Sequence, residues 1–181
     1  MAYVDSAPLA AVTKQTGGAG SEREGEIFRL AMREWASGVA LVTTGSGAHR
    51  TGCTATSLCS LSLDPPSLIV CMALTSSTLP SIRANRTFGV NILDGTHAEL
   101  ADRFAGRTGV KGAARFAGID WMTLVTGAPL LRDALACIDC NVEEVLDRHT
   151  HALLIGRVAA VRRGGAAPAL VHWRGRFARF D

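Results

Sequence analysis

A run of small and hydroxyl-bearing side chains is the part of the sequence best suited to bind a flat ligand. It reads Gly52-Cys53-Thr54-Ala55-Thr56-Ser57-Leu58-Cys59-Ser60. Small side chains let a planar ring approach the backbone, whose amides then bond to ring nitrogens and oxygens. A tightly packed edge strand with satisfied hydroxyls would have the same composition, so the residues alone leave both interpretations open.

Three consecutive hydroxyl residues follow the most apolar run of the chain. Ser76-Ser77-Thr78 comes after Ser67–Leu74 and precedes a predicted short helix. Hydroxyls and free amides at the start of a helix suit a phosphate group. Ordinary capping of a helix needs only one such residue. The sequence therefore supports a phosphate site and simple capping about equally.

Histidines and a late aromatic-cationic segment are the other candidates for chemistry. His151 follows a polar turn that holds His149, and it could contact a nicotinamide or assist a proton transfer. The segment His172-Trp173-Arg174-Gly175-Arg176 could hold a dinucleotide phosphate or an adenine. A solvated histidine and a terminal strand with surface arginines are the simpler alternatives. His49 and His97 are expected at the surface.

Several well-known chemistries lack their sequence motifs. The chain has no P-loop, no H-E-x-x-H, no G-x-S-x-G and no G-x-G-x-x-G after a strand. Its one paired cysteine motif is Cys137-x-x-Cys140. If this segment is a strand, the two thiols point to opposite faces, which opposes joint chelation of a metal. We therefore expect no metal site, and interpret both cysteines as small apolar strand residues.

Composition limits the class of protein. The chain has 181 residues, of which 48% are apolar and 19% charged, with a net charge of +3. This length favours one domain with its own core. The basic residues are scattered rather than aligned, which disfavours nucleic acid as a partner. The chain has five cysteines, an odd number, and lacks a signal-peptide pattern, which predicts reduced thiols in a cytoplasmic protein. The longest apolar run is too short to cross a membrane.

The N-terminal part divides into a tail and a helix. Residues 1–22 lack periodicity and predict a mobile tail, so the folded domain is expected over residues 23–181. Order is expected to begin near Ser21, and Gly38 is expected to end the helix. The apolar residues of this helix fall on one face: Ile27, Phe28, Ala31, Met32 and Trp35.

The rest of the chain predicts a barrel-like α+β domain of about seven strands and three short helices. The first three strands are divided by turn signals and predict an antiparallel meander. Two further helices are expected over Ser76–Asn85 and, capped by Thr96, up to Phe104. The predicted strands are Val39–Thr44, Arg50–Leu63, Ser67–Leu74, Thr87–Leu93, Leu130–Val145, Ala152–Val161 and Leu170–Phe180.

Taken in order, a set of short motifs resembles one known family. The early ones are Phe28-Arg29, Ala31-Met32, Gly38-Val39, Thr43-Thr44, Gly52, Thr54-Ala55-Thr56-Ser57 and Ser62-Leu63-Asp64-Pro65-Pro66. The later ones are Ser76-Ser77-Thr78, Phe88, Val90-Asn91-Ile92-Leu93, Leu100-Ala101, Phe104-Ala105, Cys140, His151, Gly156-Arg157-Val158 and Arg174-Gly175. From about residue 26 to 180 the chain resembles the flavin reductase-like domain, the small reductase component of two-component flavin monooxygenases.

The resemblance implies a fold and an activity. The fold would be an FMN-binding split barrel with a few short helices, mainly antiparallel β, in a homodimer. NADH or NADPH would reduce FAD or FMN by hydride transfer to N5, and the reduced flavin would diffuse to a separate monooxygenase. Two alternatives remain: a flavoprotein that retains its flavin and acts on another substrate, and a non-enzymatic flavin-binding module. The choices between FAD and FMN and between NADH and NADPH stay open.

The resemblance also implies roles for individual residues. Those that would face the flavin ring and ribityl chain are Gly52, Cys53, Thr54, Ala55, Thr56 and Ser57. Those that would follow the ribityl chain and phosphate are Cys71, Met72, Ala73, Ser76, Ser77 and Thr78, with Ala105 at the rim. The nicotinamide side would comprise His151, the candidate catalytic residue, with Trp173, Arg174 and Gly175.

Overall fold

The structure, a computed structural model, describes residues 18–181 and their side chains from residue 23 onward. Most of the predicted tail therefore lies outside the described residues. No helix in this part of the chain is long and apolar enough to cross a membrane.

The helices are α1 (Gly18–Met32), α2 (Leu79–Asn85) and α3 (Ala98–Phe104), with 3-10 turns at Gly47–His49 and Gly112–Phe116. The strands are β1 (Ser37–Gly38), β2 (Ala40–Thr44), β3 (Thr51–Ala55), β4 (Leu58–Leu63), β5 (Pro66–Ala73), β6 (Thr87–Ile92), β7 (Trp121–Met122), β8 (Leu130–Leu131), β9 (Ala136–Arg148), β10 (His151–Arg163), β11 (Ala169–Trp173) and β12 (Arg176–Phe180).

A seven-stranded sheet dominates the fold. Its strands run in the order β3-β2-β6-β9-β10-β5-β4, and every neighbouring pair is antiparallel. The alternation of buried and partly exposed residues along β5 and β10 places one face of each strand inside the barrel. The predicted class, α+β and mainly antiparallel β with a few short helices, is confirmed.

The two edges of this sheet come together where the chain passes from β3 to β4. These strands lie at opposite edges, yet only Thr56 and Ser57 separate them in sequence. The sheet therefore curls, and the amide of Cys71 on β5 donates to the carbonyl of Ser57 at 3.2 Å. β3 and β5 face each other without a ladder between them, so the barrel is split along this line.

Two hydrophobic cores lie on the two sides of the sheet. The inner core fills the barrel around Phe88, Val70 and Leu154, all fully buried. The outer core lies between the sheet, α3 and the segment 112–134. There the rings of Phe104 and Phe116 meet edge to face with centroids 5.0 Å apart. This aromatic contact joins α3 to the turn Gly112–Phe116. The Thr54 hydroxyl on β3 donates to the Ala101 carbonyl and joins α3 to one side of the split.

Turns divide the expected strands further than the sequence analysis predicted. The single extended segment Arg50–Leu63 is two strands, because the chain bends at Thr56 and Ser57 to reach the other edge of the sheet. The predicted antiparallel pairings are present as β2 with β3 and β4 with β5. They do not form one continuous meander, because β3 and β4 lie at opposite edges of the sheet. The last predicted strand is the hairpin β11–β12, whose turn holds Arg174 and Gly175 at φ 49° and 81°.

The helix α1 differs from its prediction in length and in packing. It begins at Gly18 and ends at Met32, well before Gly38, because Ser37 already pairs with His172 in β1. Among the described residues its expected apolar face is largely exposed: Phe28 is 65% exposed, and Trp35, just beyond the helix, is 68% exposed.

His97 is buried rather than exposed. It occupies the cap position of α3 expected for Thr96 and is only 8% exposed. Its two ring nitrogens lie 3.2 Å from Asp94 Oδ1 and 3.3 Å from Asp133 Oδ2. The expectation of a surface residue was wrong because Asp133, distant in sequence, closes over the ring.

Cys137 and Cys140 lie in different cores, as their spacing on a strand predicts. Cys137 belongs to the outer core and Cys140 to the inner one, on opposite faces of β9. Burial, with the nearby charge of Asp139, raises the pKa of Cys140 to about 12. The two thiols cannot hold one metal ion together.

The buried Cys140 thiol should make the protein less stable at alkaline pH. In the unfolded chain this thiol loses its proton above about pH 8.5, whereas the folded protein keeps it, so stability falls as pH rises between these two pKa values. From pH 8 to pH 10, wild type should lose about 2 kcal/mol more unfolding free energy than Cys140→Ala. Urea unfolding at both pH values measures this, because any cavity cost is common to them.

The control for this experiment is Cys59→Ala, at an exposed cysteine on β4. This variant should show the same pH dependence as wild type. If Cys140→Ala also loses as much stability as wild type between pH 8 and pH 10, the buried thiol does not control the alkaline transition.

Candidate functional site

A cleft of about 340 Å³ lies in the split between β3 and β5. One wall is the end of β3 with the following bend, and the other is the end of β5 with the turn after it. The end of α3 and the start of β10 complete the rim. Its lining residues are Cys53, Thr54, Ala55, Thr56, Ser57, Cys71, Met72, Ala73, Ser76, Phe104, Ala105 and His151.

The two walls run in opposite directions, which gives the cleft distinct ends. At one end Ser57 and Cys71 are joined twice, since the Ser57 hydroxyl donates to the Cys71 carbonyl at 2.6 Å and the Cys71 amide donates back. At the other end Cys53 of β3 and Ser76 after β5 both line the cleft. Residues 53 to 57, the end of β3 and the following bend, separate these ends by at most roughly 13 Å. The cleft is therefore long and narrow, as a flat, elongated ligand requires.

The wall formed by β3 offers backbone groups to a ligand. β3 pairs with β2 on one side only, so amides and carbonyls on its other side face the cleft. The Thr54 hydroxyl donates to the Ala101 carbonyl of α3 at 2.6 Å, which holds this side chain in place. Its neighbours Ala55 and Thr56 are too small to cover the backbone. The wall can thus approach the edge of a ring closely.

The cleft carries little charge of its own. No carboxylate is present among the described residues that line it. Burial raises the pKa of the Cys53 thiol, and the Ser76 and Thr78 hydroxyls and the Arg115 guanidinium only partly oppose this. The thiol is therefore protonated at neutral pH and acts as a small apolar contact rather than a nucleophile.

His151 lies at the mouth of the cleft. It is the first residue of β10, directly opposite Ala73 of β5, and its ring is exposed. Its Nδ1 is 2.9 Å from the Thr150 hydroxyl, which orients the ring. The imidazole can therefore contact a second molecule that enters above the first.

Comparison with known proteins identifies the family. Residues 32–181 match the model of the flavin reductase like domain. The chain belongs to the flavin reductase-like domain family. It is 39% identical over 171 residues to the FMN reductase (NADH) RutF 2 of Rhizobium rhizogenes, covering 94% of this chain and 97% of that protein. It is 45% identical over 148 residues to the protein of the same name from Methylorubrum extorquens, covering 80% and 83%.

A solved flavin reductase shares the fold. BorF, the flavin reductase component of a bacterial two-component tryptophan halogenase, superimposes with a TM-score of 0.80 at 31% identity, over 86% of this chain and 98% of its own. The split-barrel fold expected for a flavin reductase-like domain is confirmed.

The cleft of this flavin reductase-like domain brings together most of the residues selected from the sequence. Those selected and found in its lining are Cys53, Thr54, Ala55, Thr56, Ser57, Cys71, Met72, Ala73, Ser76, Ala105 and His151. Segments of two different strands, the residue after α3 and one histidine from a third strand thus share one cavity.

Three selected residues next to the cleft are not part of its lining. Gly52 is buried, and a Cβ there would lie 2.9 Å from both Phe104 Cε1 and the Val42 carbonyl oxygen, so its small size serves packing. Ser77 is exposed outside the cleft. Thr78 is fully buried, with its hydroxyl 3.3 Å from that of Thr51. Of the three hydroxyl residues, only Ser76 reaches the cleft.

The residues Trp173, Arg174 and Gly175 lie away from the cleft. They form the end of the β11–β12 hairpin, and α1 and the residues after it hold them there. The Trp173 indole donates to the Glu34 carbonyl at 3.3 Å, and Arg174 forms a salt bridge with the Glu34 carboxylate. Arg33 donates to the Arg174 carbonyl at 2.9 Å. Within one chain these residues fasten the hairpin to the N-terminal region.

Two residues at the cleft were not selected from the sequence. Phe104 lines it, although the sequence analysis named it only as the end of a predicted helix and in the motif Phe104-Ala105, with no role in a site. Arg115 lies in the glycine-rich connection after α3, and it reaches β3 only through the tertiary fold. No local pattern identifies either residue, because each is defined by what it contacts across the sequence.

Proposed function

We propose that the protein is an NADH-dependent flavin reductase that binds FMN or FAD in the cleft between β3 and β5. The observation that carries this proposal is the cleft itself, whose walls are small residues and free backbone at the positions expected from the family resemblance. The names of the RutF relatives support FMN and NADH as substrates. FAD is included because the cleft is open beyond its rim, where a larger flavin could extend.

The protein would contribute to catalysis mainly by positioning the flavin and the nicotinamide relative to each other. Hydride passes from the nicotinamide to flavin N5 when the two rings stack about 3.5 Å apart. The backbone of residues 53–56 would hold one edge of the flavin, while Cys71 and Ala73 would support it from β5. The free backbone amides of β3 would stabilise negative charge near flavin N1. His151, exposed above Ala73, would bind or orient the nicotinamide.

The open rim suits a flavin that leaves after reduction. The residues at the rim, Ser57, Ala105 and His151, are exposed, so both substrates can exchange without a large rearrangement. We therefore propose that the reduced flavin diffuses to a separate flavin-dependent monooxygenase or related oxygenase. The structural similarity to BorF, which is the reductase component of a two-component halogenase, supports this. The homodimer and the cytoplasmic location stay predictions.

Steady-state oxidation of NADH and NADPH with added FMN and FAD, followed at the NADH absorbance band, tests the function. We expect multiple turnovers of added flavin. Retention of flavin through extensive dialysis, with reduction of another acceptor but not of added flavin, would instead establish a flavoprotein that keeps its cofactor. Absence of oxidation in all four combinations would indicate a binding module and contradict the proposal.

His151→Ala should weaken catalysis without abolishing it. Because the ligands carry the redox chemistry, loss of the imidazole should raise the KM for NADH or lower kcat by about 10- to 100-fold. Initial rates at varied NADH and saturating FMN measure this. The control is His49→Ala, at an exposed histidine outside the cleft, which should behave as wild type. Complete loss of activity in a folded, flavin-binding His151→Ala protein contradicts a positioning role.

A further inference from the structure

A second cavity, of about 260 Å³, lies between the turn that joins β2 to β3 and the segment 121–129. We call it the Arg50 hollow. Its lining residues are Gly45, Ser46, Gly47, Arg50, Trp121, Met122, Thr123, Gly127 and Pro129. None of these residues lines the cleft between β3 and β5. The proposed function therefore leaves this cavity without a role.

Arg50 is the one charged residue among the described residues that line the hollow. Its side chain is part-buried, and its Nε is buried without a hydrogen-bond acceptor. Within residues 23–181, whose side chains the structure describes, no carboxylate forms an ion pair with it. A guanidinium that loses water without gaining an acceptor is costly, and a bound anion would offset that cost.

Aromatic contacts hold the Arg50 guanidinium in place. Its central carbon lies 4.8 Å from the centroid of the Phe116 ring, which is fully buried. The Trp121 ring packs on Phe116 with centroids 4.7 Å apart, and its indole donates to the Phe116 carbonyl at 3.1 Å. The cation–π contact therefore fixes the charge next to Trp121 before any ligand binds.

The other walls of the hollow suit a flat ring. Trp121 and Met122 offer aromatic and polarisable surface, and Gly45 and Gly47 add little side chain. The volume lies below the roughly 300–1,000 Å³ typical of pockets for drug-sized ligands, so a ligand of one ring fits. A wider hollow of about 540 Å³ adjoins it at Gly45, Ser46 and Gly127, but no arginine or lysine is present among the described residues of its lining.

We propose that the Arg50 hollow binds a small aromatic carboxylate. The carboxylate accepts charge-assisted hydrogen bonds from the Arg50 guanidinium, and the ring packs against Trp121 and Met122. Because this hollow and the cleft between β3 and β5 have separate linings, the ligand is neither the flavin nor the nicotinamide dinucleotide. The inference does not depend on the proposed function.

Titration calorimetry with benzoate tests this inference. Wild type should bind one equivalent, and Arg50→Gln should bind at least about 10-fold more weakly, because the carboxylate loses its charged donor. Arg50→Lys should lose less affinity, since it keeps the charge. Benzamide has the same ring without the charge. It should bind more weakly than benzoate to wild type and equally to wild type and Arg50→Gln.

Thr123→Trp tests the location with Arg50 intact. Thr123 is exposed and lines the hollow, so an indole there would fill much of the cavity. We expect benzoate affinity to fall at least about 10-fold, with a melting temperature near that of wild type. This variant decides the question even if Arg50→Gln fails to fold.

Arg157→Gln is the matched control. Arg157 lies on β10, is exposed, and forms no ion pair with the described residues, but it is not part of the hollow. Its benzoate affinity should equal that of wild type. Inorganic phosphate measures what charge alone contributes, and we expect it to bind at least about 10-fold more weakly than benzoate.

Three results would overturn the inference. The first is equal affinity for benzoate in wild type and in folded Arg50→Gln or Thr123→Trp. The second is phosphate binding as tight as that of benzoate, since charge alone would then suffice. The third is displacement of benzoate by FMN or NADH, which would place it in the cleft between β3 and β5. Since none of these measurements requires oxidation of NADH, the inference and the reductase proposal fail separately.

Discussion

Replacing Ala73 with Trp should abolish flavin reduction while leaving the protein folded. Ala73 lines the cleft from β5 and is directly opposite His151. An indole at this position would occupy much of a 340 Å³ cavity in the space proposed for the flavin ring. Because the two rings could no longer stack, we expect turnover of FMN with NADH to fall by at least about 100-fold.

The experiment needs evidence that the variant folds and a control of the same kind. Circular dichroism and the melting temperature should stay near those of wild type, since Ala73 is partly exposed at the rim of the barrel. Leu63→Trp introduces the same side chain at a residue of β4 that is 89% exposed and outside the cleft. It should retain wild-type activity. Normal activity in Ala73→Trp would mean that flavin binds elsewhere.

Gly156→Val should destabilise the barrel more than any other substitution considered. A Cβ on Gly156 would lie 2.3 Å from Phe88 Cζ and 3.2 Å from Cys140 Cβ, in the middle of the inner core. Phe88 is fully buried and cannot swing into solvent. The strain of overpacking should therefore lower the free energy of unfolding by about 3 kcal/mol or more. Urea unfolding followed by circular dichroism measures it.

Gly165→Val is the matched control for this substitution. A Cβ on Gly165 would have no neighbour within 4 Å, and the residue is exposed after the end of β10. This change should alter the unfolding free energy by no more than about 0.5 kcal/mol. If Gly156→Val proves equally mild, Phe88 has room to move, and the inner core is looser than its contacts indicate.

Local patterns sufficed for the elements that need no distant partner. The runs of β-branched and apolar residues predicted β2, β5 and β6, and the turn signals after them marked their ends. The alternation of side chains along a strand correctly separated Cys137 from Cys140. The length of a strand, however, depends on its partners. Residues 50–63 were predicted as one strand because no residue there shows that the chain must cross from one sheet edge to the other.

Residue type identified the candidate cleft better than it identified the cleft's boundaries. Small residues and hydroxyls at 53–57 are a property of the sequence itself, and their suitability for a flat ligand could be predicted directly. Which hydroxyls reach the cleft is a matter of packing, as Thr78 shows. Packing also decides that Trp173 and Arg174 lie away from the cleft, because their polar groups bind Glu34 in the segment after α1.

The class of fold and the small residues at 53–57 could be predicted from side-chain size, polarity and spacing along one segment. The second wall at Cys71–Ala73 and the role of His151 were implied by the resemblance to the family. It took the tertiary structure to show that β3 and β5 face each other across a split, and that Arg115 donates to the Gly52 carbonyl of β3 beside it. The reason is physical. Curling of the sheet brings together residues that are far apart in the chain, and no local preference of any one residue specifies that approach.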